Sequence, residues 1–393
     1  MDRATVIGVL GAGTMGGGIA QVAAAAGHRV VLADSFADAI DRARAGHAKV
    51  MAREVEKGRL SQEAADELLG RLSYLTPAAG DVSAFAPCRL VIEAIIEDLA
   101  IKQATFRSLD QLVAPDAVLA TNTSSLSVTA IAAACQRPER VVGIHFFNPA
   151  PLLPLVEIVP GLTTDPAVTT ATRQLVDGWG KTTVVASDTP GFIVNRIARP
   201  FYSEALRIYE EGIADRATID WALKDAGGFK MGPFELMDLI GNDVNYAVTE
   251  SVFEAFGYDP RYRPSLTQKR LVEGGLLGRK SGQGHFDYRP GASPPEPIKQ
   301  TEIAIAIFPR ILAVLINSAI DALFWRVASR DDIDLAMTKG VSYPKGLLRW
   351  ADDIGLGPIL ERLDQLHAEY GDERYRASPL LRRMARDGAA FYP

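Results

Sequence analysis

Cysteine is nearly absent: Cys88 and Cys135 are the only two. That is too few for a disulfide framework, so packing must hold the fold, as in a reducing compartment. A cytoplasmic location is the expectation. Basic residues are also in deficit, with 42 Lys and Arg against 48 Asp and Glu. The net charge of −6 offers no field to draw nucleic acid or an anionic membrane surface, so neither is an expected partner. Long apolar runs are missing too. The most apolar stretch, Ile303 to Trp325, is broken by Pro309, Arg310, Asn317 and Asp321, whereas a spanning helix needs about 18 uninterrupted apolar residues; it reads as a buried helix. The first apolar run, Val6 to Leu10, leads into glycines instead of a cleavage site, so no targeting segment is expected. Nothing has metal-ligand spacing. What is present is ordinary: 393 residues, 48% hydrophobic and 23% charged, enough for two or three globular domains.

From Thr5 to about Val185, short β-rich runs alternate with alanine-rich helical patterns, as a doubly wound parallel sheet requires. Strands are expected over 5–10, 29–33, 90–94, 118–121, 141–145 and 155–159, with Val184 and Val185 closing the sheet. Residues 47–72 read as one long helical excursion. After Asp188-Thr189-Pro190-Gly191 the β signal fades and the pattern turns helical as far as Tyr288. Pro290 to Pro297 reads as a linker. The last segment repeats the previous one: slid by 114 positions, Arg196, Asp220, Gly232, Asp238 and Gly241 fall on Arg310, Asp334, Gly346, Asp352 and Gly355. Arg261-Tyr262-Arg263 then matches Arg374-Tyr375-Arg376. Shared glycines and aspartates at fixed offsets mark a duplication. The expected fold class is therefore α/β, a Rossmann domain (1–187) followed by two tandem all-α domains (188–290 and 298–393) joined by a linker (291–297).

Gly11-Ala12-Gly13-Thr14-Met15-Gly16 follows the first strand and opens a helix. Gly11 permits a tight turn, Gly13 lets the backbone approach a pyrophosphate, Gly16 lets helix pack on strand, and the helix N-terminus favours anions. Asp34, closing the second strand, would bond the ribose hydroxyls and repel a 2′-phosphate, so NAD is favoured over NADP.

His145 ends one expected strand and Glu157 interrupts another. A carboxylate inside an apolar strand needs a partner. If that partner is the imidazole, Glu157 fixes its tautomer and stabilises the imidazolium formed on proton uptake. A structural histidine with a salt-bridged glutamate is the other reading. Asn122-Thr123-Ser124-Ser125 lies at a carboxyl edge of the sheet, where ligands gather, although Ser125 or Ser127 could simply cap a helix. Asn195, just after the Pro190-Gly191 turn, is Pro309 in the second repeat, which favours a role in only one copy.

Together, Gly11 to Gly16, Asn122 to Ser125, His145-Phe146-Phe147-Asn148-Pro149, Thr189 to Arg196 and Met231 to Leu236 resemble the L-3-hydroxyacyl-CoA dehydrogenase family, over residues 5 to 290. In weaker form the likeness reaches the C-terminus, where the duplicated tail resembles the 3-hydroxyadipyl-CoA branch of that family. The resemblance implies NAD-dependent, reversible oxidation of a (3S)-3-hydroxyacyl-CoA in fatty-acid or phenylacetate-type catabolism. It implies His145 as proton-transfer base, Glu157 as its orienting carboxylate, and Ser124 and Asn195 against the substrate's 3-oxygen. It further implies cofactor contacts from Glu97, Lys102, Asn122, Asn148 and Lys280 and a CoA phosphate contact from Lys57. In relatives with one helical domain that domain pairs two subunits, so the second copy here would mimic a partner subunit; a monomer or a homodimer follows. The rival readings are an NAD-dependent dehydrogenase of small free hydroxy acids and a silent NAD-binding protein.

Overall fold

The computed structural model describes residues 4–392, which form two compact units divided between Thr189 and Pro190. In the first unit, eight strands make one sheet: β1 (Ile7–Leu10), β2 (Val30–Ala33), β3 (Leu72–Leu75), β4 (Leu90–Glu93), β5 (Val118–Thr121), β6 (Val141–Phe146), β7 (Leu155–Pro160) and β8 (Thr182–Val185). Their order is β3-β2-β1-β4-β5-β6-β7-β8. All neighbours are parallel except β6 and β7. The chain therefore reverses its winding between β1 and β4, the switch point where open α/β sheets take ligands. Strands buried on both faces read as unbroken apolar runs, which is why Ile7-Gly8-Val9-Leu10 and Leu90-Val91-Ile92 were legible. The faces are covered by α1 (Thr14–Ala25), α2 (Ala37–Glu56), α3 (Gln62–Gly70), α4 (Leu99–Leu112), α5 (Val128–Ala132) and α6 (Pro166–Gly178).

The helical excursion expected over 47–72 is corrected in two ways. It comprises two helices, because Gly58 at φ +67° follows the end of α2 and the Ser61 hydroxyl accepts from Ala64 N to start α3. Its last residue, Leu72, already belongs to β3, a four-residue edge strand whose single buried side chain gives almost no periodic signal.

The second unit is helical. One repeat carries α7 (Val194–Ile197), α8 (Arg199–Glu210), α9 (Arg216–Asp225), α10 (Pro233–Ile240), α11 (Asn242–Ala255) and α12 (Leu266–Glu273). The other carries α13 (Thr301–Phe324), α14 (Arg330–Gly340), α15 (Leu347–Ile354), α16 (Leu356–Tyr370) and α17 (Pro379–Asp387), after residues 291–300 that form neither helix nor strand. Equivalent aspartates cap equivalent helices: Asp220 accepts from Phe234 N and Glu235 N, and Asp334 from Leu348 N and Arg349 N. A Cβ on Gly232 or Gly346 would lie 2.3 Å from that aspartate's side chain, so each repeat needs glycine there. Helix α13 is long and apolar enough to cross a membrane, yet Ile307, Ile311, Leu315, Ile316, Ala319 and Ile320 are fully buried against the rest of the unit; it is a core helix.

Candidate active site

The turn after β1 leaves little choice of residue. Gly11 has φ +101°, and a Cβ there would lie 2.5 Å from the Ala94 carbonyl; one on Gly16 would lie 1.8 Å from the Gly11 carbonyl. Around Gly13 a Cβ would meet nothing within 4 Å, so that side of the loop is open. Thr14 and Met15 start α1, and the first-turn N–H groups of a helix have no partners within it. Asp34 directly follows β2, with Oδ2 accepting from Ala12 N (2.7 Å) and Oδ1 from Phe36 N (2.9 Å). These bonds fix the carboxylate beside the glycine loop and still leave it lone pairs for hydroxyl donors. Open glycine backbone, a helix N-terminus and an acceptor-only carboxylate fit the diphosphate and ribose of NAD.

Two loops further along the sheet are tied by a buried charge relay. Lys102, 1% exposed, sits between Glu93 Oε1 at 2.5 Å and Glu97 Oε2 at 3.2 Å. Glu93, with no exposure at all, also accepts from the Thr121 hydroxyl at 2.7 Å. Glu97 Oε1 accepts from the Thr123 hydroxyl, Ser124 N, Ser125 N and the Ser125 hydroxyl. Burial would raise the Glu97 carboxyl, but Lys102 and the Thr123 and Ser125 hydroxyls outweigh it and hold the group below the usual range. The relay therefore shapes the loop that presents Ser124. Glu93 and Thr121 escaped the sequence reading; their only signal was a carboxylate and a hydroxyl at the ends of apolar strands. Asn122 uses its side-chain oxygen to accept from Phe146 N at 2.9 Å, pinning the end of β5 to β6.

The register of β6 against β7 sets His145 directly opposite Glu157. Glu157 is fully buried, His145 is 5% exposed, and Nδ1 of the imidazole lies 2.6 Å from Glu157 Oε2. An ionised carboxylate is acceptor-only, so this contact puts the hydrogen on Nδ1 and the lone pair on Nε2. The Phe147 ring packs 4.5 Å from the imidazole centroid. Asn148 is exposed on the turn after β6, and Lys57 is exposed at the C-terminal cap of α2. Thus the first unit gathers the glycine loop, Asp34, Glu97, Asn122, Ser124 and His145 along the carboxyl ends of β1, β2, β4, β5 and β6. Asn195 and Lys280 belong to the second unit. Asn195 lies in α7, after a turn where Gly191 has φ +72°, and Lys280 is half-exposed and ion-paired with Asp243 at 2.6 Å.

Comparison with known proteins gives a consistent result. The family model for the 3-hydroxyacyl-CoA dehydrogenase NAD binding domain matches residues 6–189. That for the 3-hydroxyacyl-CoA dehydrogenase C-terminal domain matches twice, at 191–288 and 307–390. The chain is 41% identical to the 3-hydroxyadipyl-CoA dehydrogenase of Escherichia coli K12, over 98% of each chain. It is 43% identical to a 3-hydroxybutyryl-CoA dehydrogenase of Bradyrhizobium diazoefficiens, over 73% of this chain and 96% of the relative. A crystal structure of 3-hydroxybutyryl-CoA dehydrogenase from Escherichia coli K12 superposes with a TM-score of 0.91 at 40% identity, over 98% of this chain and 99% of that one.

Proposed function

The chain belongs to the 3-hydroxyacyl-CoA dehydrogenase family, an NAD-dependent oxidoreductase acting on acyl-CoA, and from that premise we propose how its residues divide the reaction. NAD, held by Gly11, Gly13, Thr14, Met15, Gly16 and Asp34, supplies the hydride acceptor when bound. His145 Nε2 takes the proton of the 3-hydroxyl as C3 is oxidised to the ketone, and returns it in the reverse direction. Glu157 holds the ring and stabilises the imidazolium. Ser124 and Asn195 hold the 3-oxygen so that C3–H points at the acceptor. Glu97 and Asn122 shape and line the cofactor side, with Lys102 acting on that side through Glu97; Asn148 and Lys280 belong to the same binding surface, and Lys57 meets a CoA phosphate. The observation that carries this reading is the 2.6 Å contact between His145 Nδ1 and a fully buried Glu157.

Replacing His145 with Gln removes the base. Turnover of 3-hydroxyacyl-CoA should fall about 10²- to 10⁴-fold while NADH binding, followed by fluorescence, stays intact. Near-normal turnover overturns the assignment. For the second helical repeat we propose the part of a partner subunit supplied in cis, supported by its matching helix caps and by the family model that matches both repeats. The scarcity of cysteine supports a cytoplasmic enzyme.

A further inference from the structure

The turn that joins β6 to β7 is poor in hydrogen-bond donors. Pro149, Pro151 and Pro154 lie in it, and proline has no N–H to donate. Among the described residues its backbone bonds internally only from Leu152 N and Leu153 N, both to the Pro149 carbonyl at 3.0 Å. No described backbone N–H reaches the carbonyls of Ala150, Pro151 and Leu153. One side chain takes all three. Lys181, the residue before β8, puts Nζ 2.5 Å from the Ala150 oxygen, 2.9 Å from that of Leu153 and 3.5 Å from that of Pro151. An ammonium has three donors and no acceptor, so these contacts use it completely. The group is half-buried, burial pushes its pKa down, and no carboxylate among the described residues offsets that. Lys181 is therefore no surface ion pair; what it holds is the shape of the turn.

Held in that shape, the turn packs on α1. Ala150 is 1% exposed, and its neighbour in the core is a glycine. Three glycines follow one another at 16–18, although glycine inside a helix is less stable than alanine. Gly16 answers to the Gly11 carbonyl. Gly18 answers to the turn: a Cβ there would lie 3.1 Å from Pro151 Cδ and 3.2 Å from Ala150 Cβ, inside the about 3.5–4.0 Å at which carbon atoms pack best. The same turn hangs from the two strands that set His145 against Glu157. It thus bridges the strands that carry the base and the helix that starts from the glycine loop.

Resting on the reading of His145 as the base and of the glycine loop as the NAD site, we propose that Lys181 is a positioning residue for the reaction. By gathering three carbonyls of the turn it seats Ala150 and Pro151 on Gly18, and so fixes the spacing between α1 and the His145–Glu157 pair. Hydride and proton leave one secondary alcohol, so the hydride acceptor and the base must be placed together; a displacement of about 1 Å in such an arrangement costs about 100-fold in rate. Lys181 itself does no chemistry.

The test compares Lys181→Ala and Gly18→Ala with the wild type. Turnover is measured with saturating NAD and whichever of 3-hydroxybutyryl-CoA and 3-hydroxyadipyl-CoA the wild type uses faster. It is expressed per NADH-binding site, counted by fluorescence titration so that misfolded chains drop out. Lys181→Ala should lower kcat about 10- to 100-fold and Gly18→Ala about 3- to 10-fold. Propylammonium replaces the atoms that Lys181→Ala removes and should restore most of the loss, whereas propanol, its neutral counterpart, should not. Both substitutions displace one turn, so the double variant should lose less than the product of the single losses. Without NAD, amide hydrogen exchange at Leu152 and Leu153 should quicken in Lys181→Ala. Wild-type kcat in either single variant, a loss that propylammonium leaves untouched, losses that multiply, or unchanged exchange overturns the proposal and leaves the reaction assignment standing. Turnover of neither thioester by the wild type overturns the assignment, and the role of Lys181 with it.

Discussion

Lys102 shows what a single residue can and cannot reveal. In the sequence it is a lysine shortly after a strand, indistinguishable from a surface charge, and the resemblance makes it a cofactor contact. In the fold it is 1% exposed between Glu93 and Glu97, so its charge is already spent. His145 and Glu157 stand out in the sequence because each is a polar residue at the end of, or inside, an apolar run, and Ser124 because it belongs to a polar cluster just after one. Lys102 does not, since its partners are set by the pairing of β4 with β5 and by the loop beyond. The two roles separate experimentally. Lys102→Met leaves the buried Glu93 carboxylate without its counter-charge, a loss of about 3–5 kcal/mol, which should appear as a lowered midpoint in urea unfolding without any cofactor present. A variant of wild-type stability that has lost only NAD affinity would return Lys102 to the cofactor.

At the scale of elements, the two repeats solve one capping problem with the same aspartates and then differ in the side chain that sits beside one of the caps. Asp238 accepts from His285 N and Phe286 N, and Asp352 from Phe391 N and Tyr392 N, so His285 and Phe391 are structural counterparts. The duplication was legible from shared glycines and aspartates; this correspondence was not, because the intervening chain differs in length. His285 is 4% exposed, neither ring nitrogen has a partner among the described residues, and burial pushes its imidazole down to about 3. The unfolded imidazole titrates near 6.5. Above that pH neither state is charged and the site contributes its full stability. Between about 6.5 and 3 the unfolded chain binds a proton that the folded chain refuses, so stability falls as pH falls, by about 1.4 kcal/mol per pH unit. His285→Phe, the residue the second repeat already uses, should flatten that dependence between pH 6.5 and 5 in thermal or urea unfolding. Parallel slopes for variant and wild type would refute it.

For the whole chain, the deepest question is why a second helical repeat is retained beside the first. Its long helix α13 packs against α8 and α9 of the first repeat and hides an apolar face there. That packing also carries reciprocal, largely buried ion pairs: Arg196 and Arg261 of the first repeat reach Asp321 of the second, while Arg310 and Arg374 of the second reach Glu204 of the first. The acceptors are not equivalent positions, since Asp321 corresponds to Arg207 and Glu204 to Ser318. The first repeat is therefore charge-matched to the second better than to another copy of itself, which favours closure within one chain. A chain ending at residue 297 keeps the sheet unit and the first repeat but uncovers the surface that α13 occupies. Exposed apolar area of that kind drives association. On gel filtration with light scattering, the truncated chain should run as a dimer or as aggregate, and pairing of two first repeats should be weak because Arg207 would stand where Asp321 now receives two guanidinium groups. A truncated chain that stays monomeric, soluble and as stable as the full one would mean that the second repeat does not stand in for a subunit.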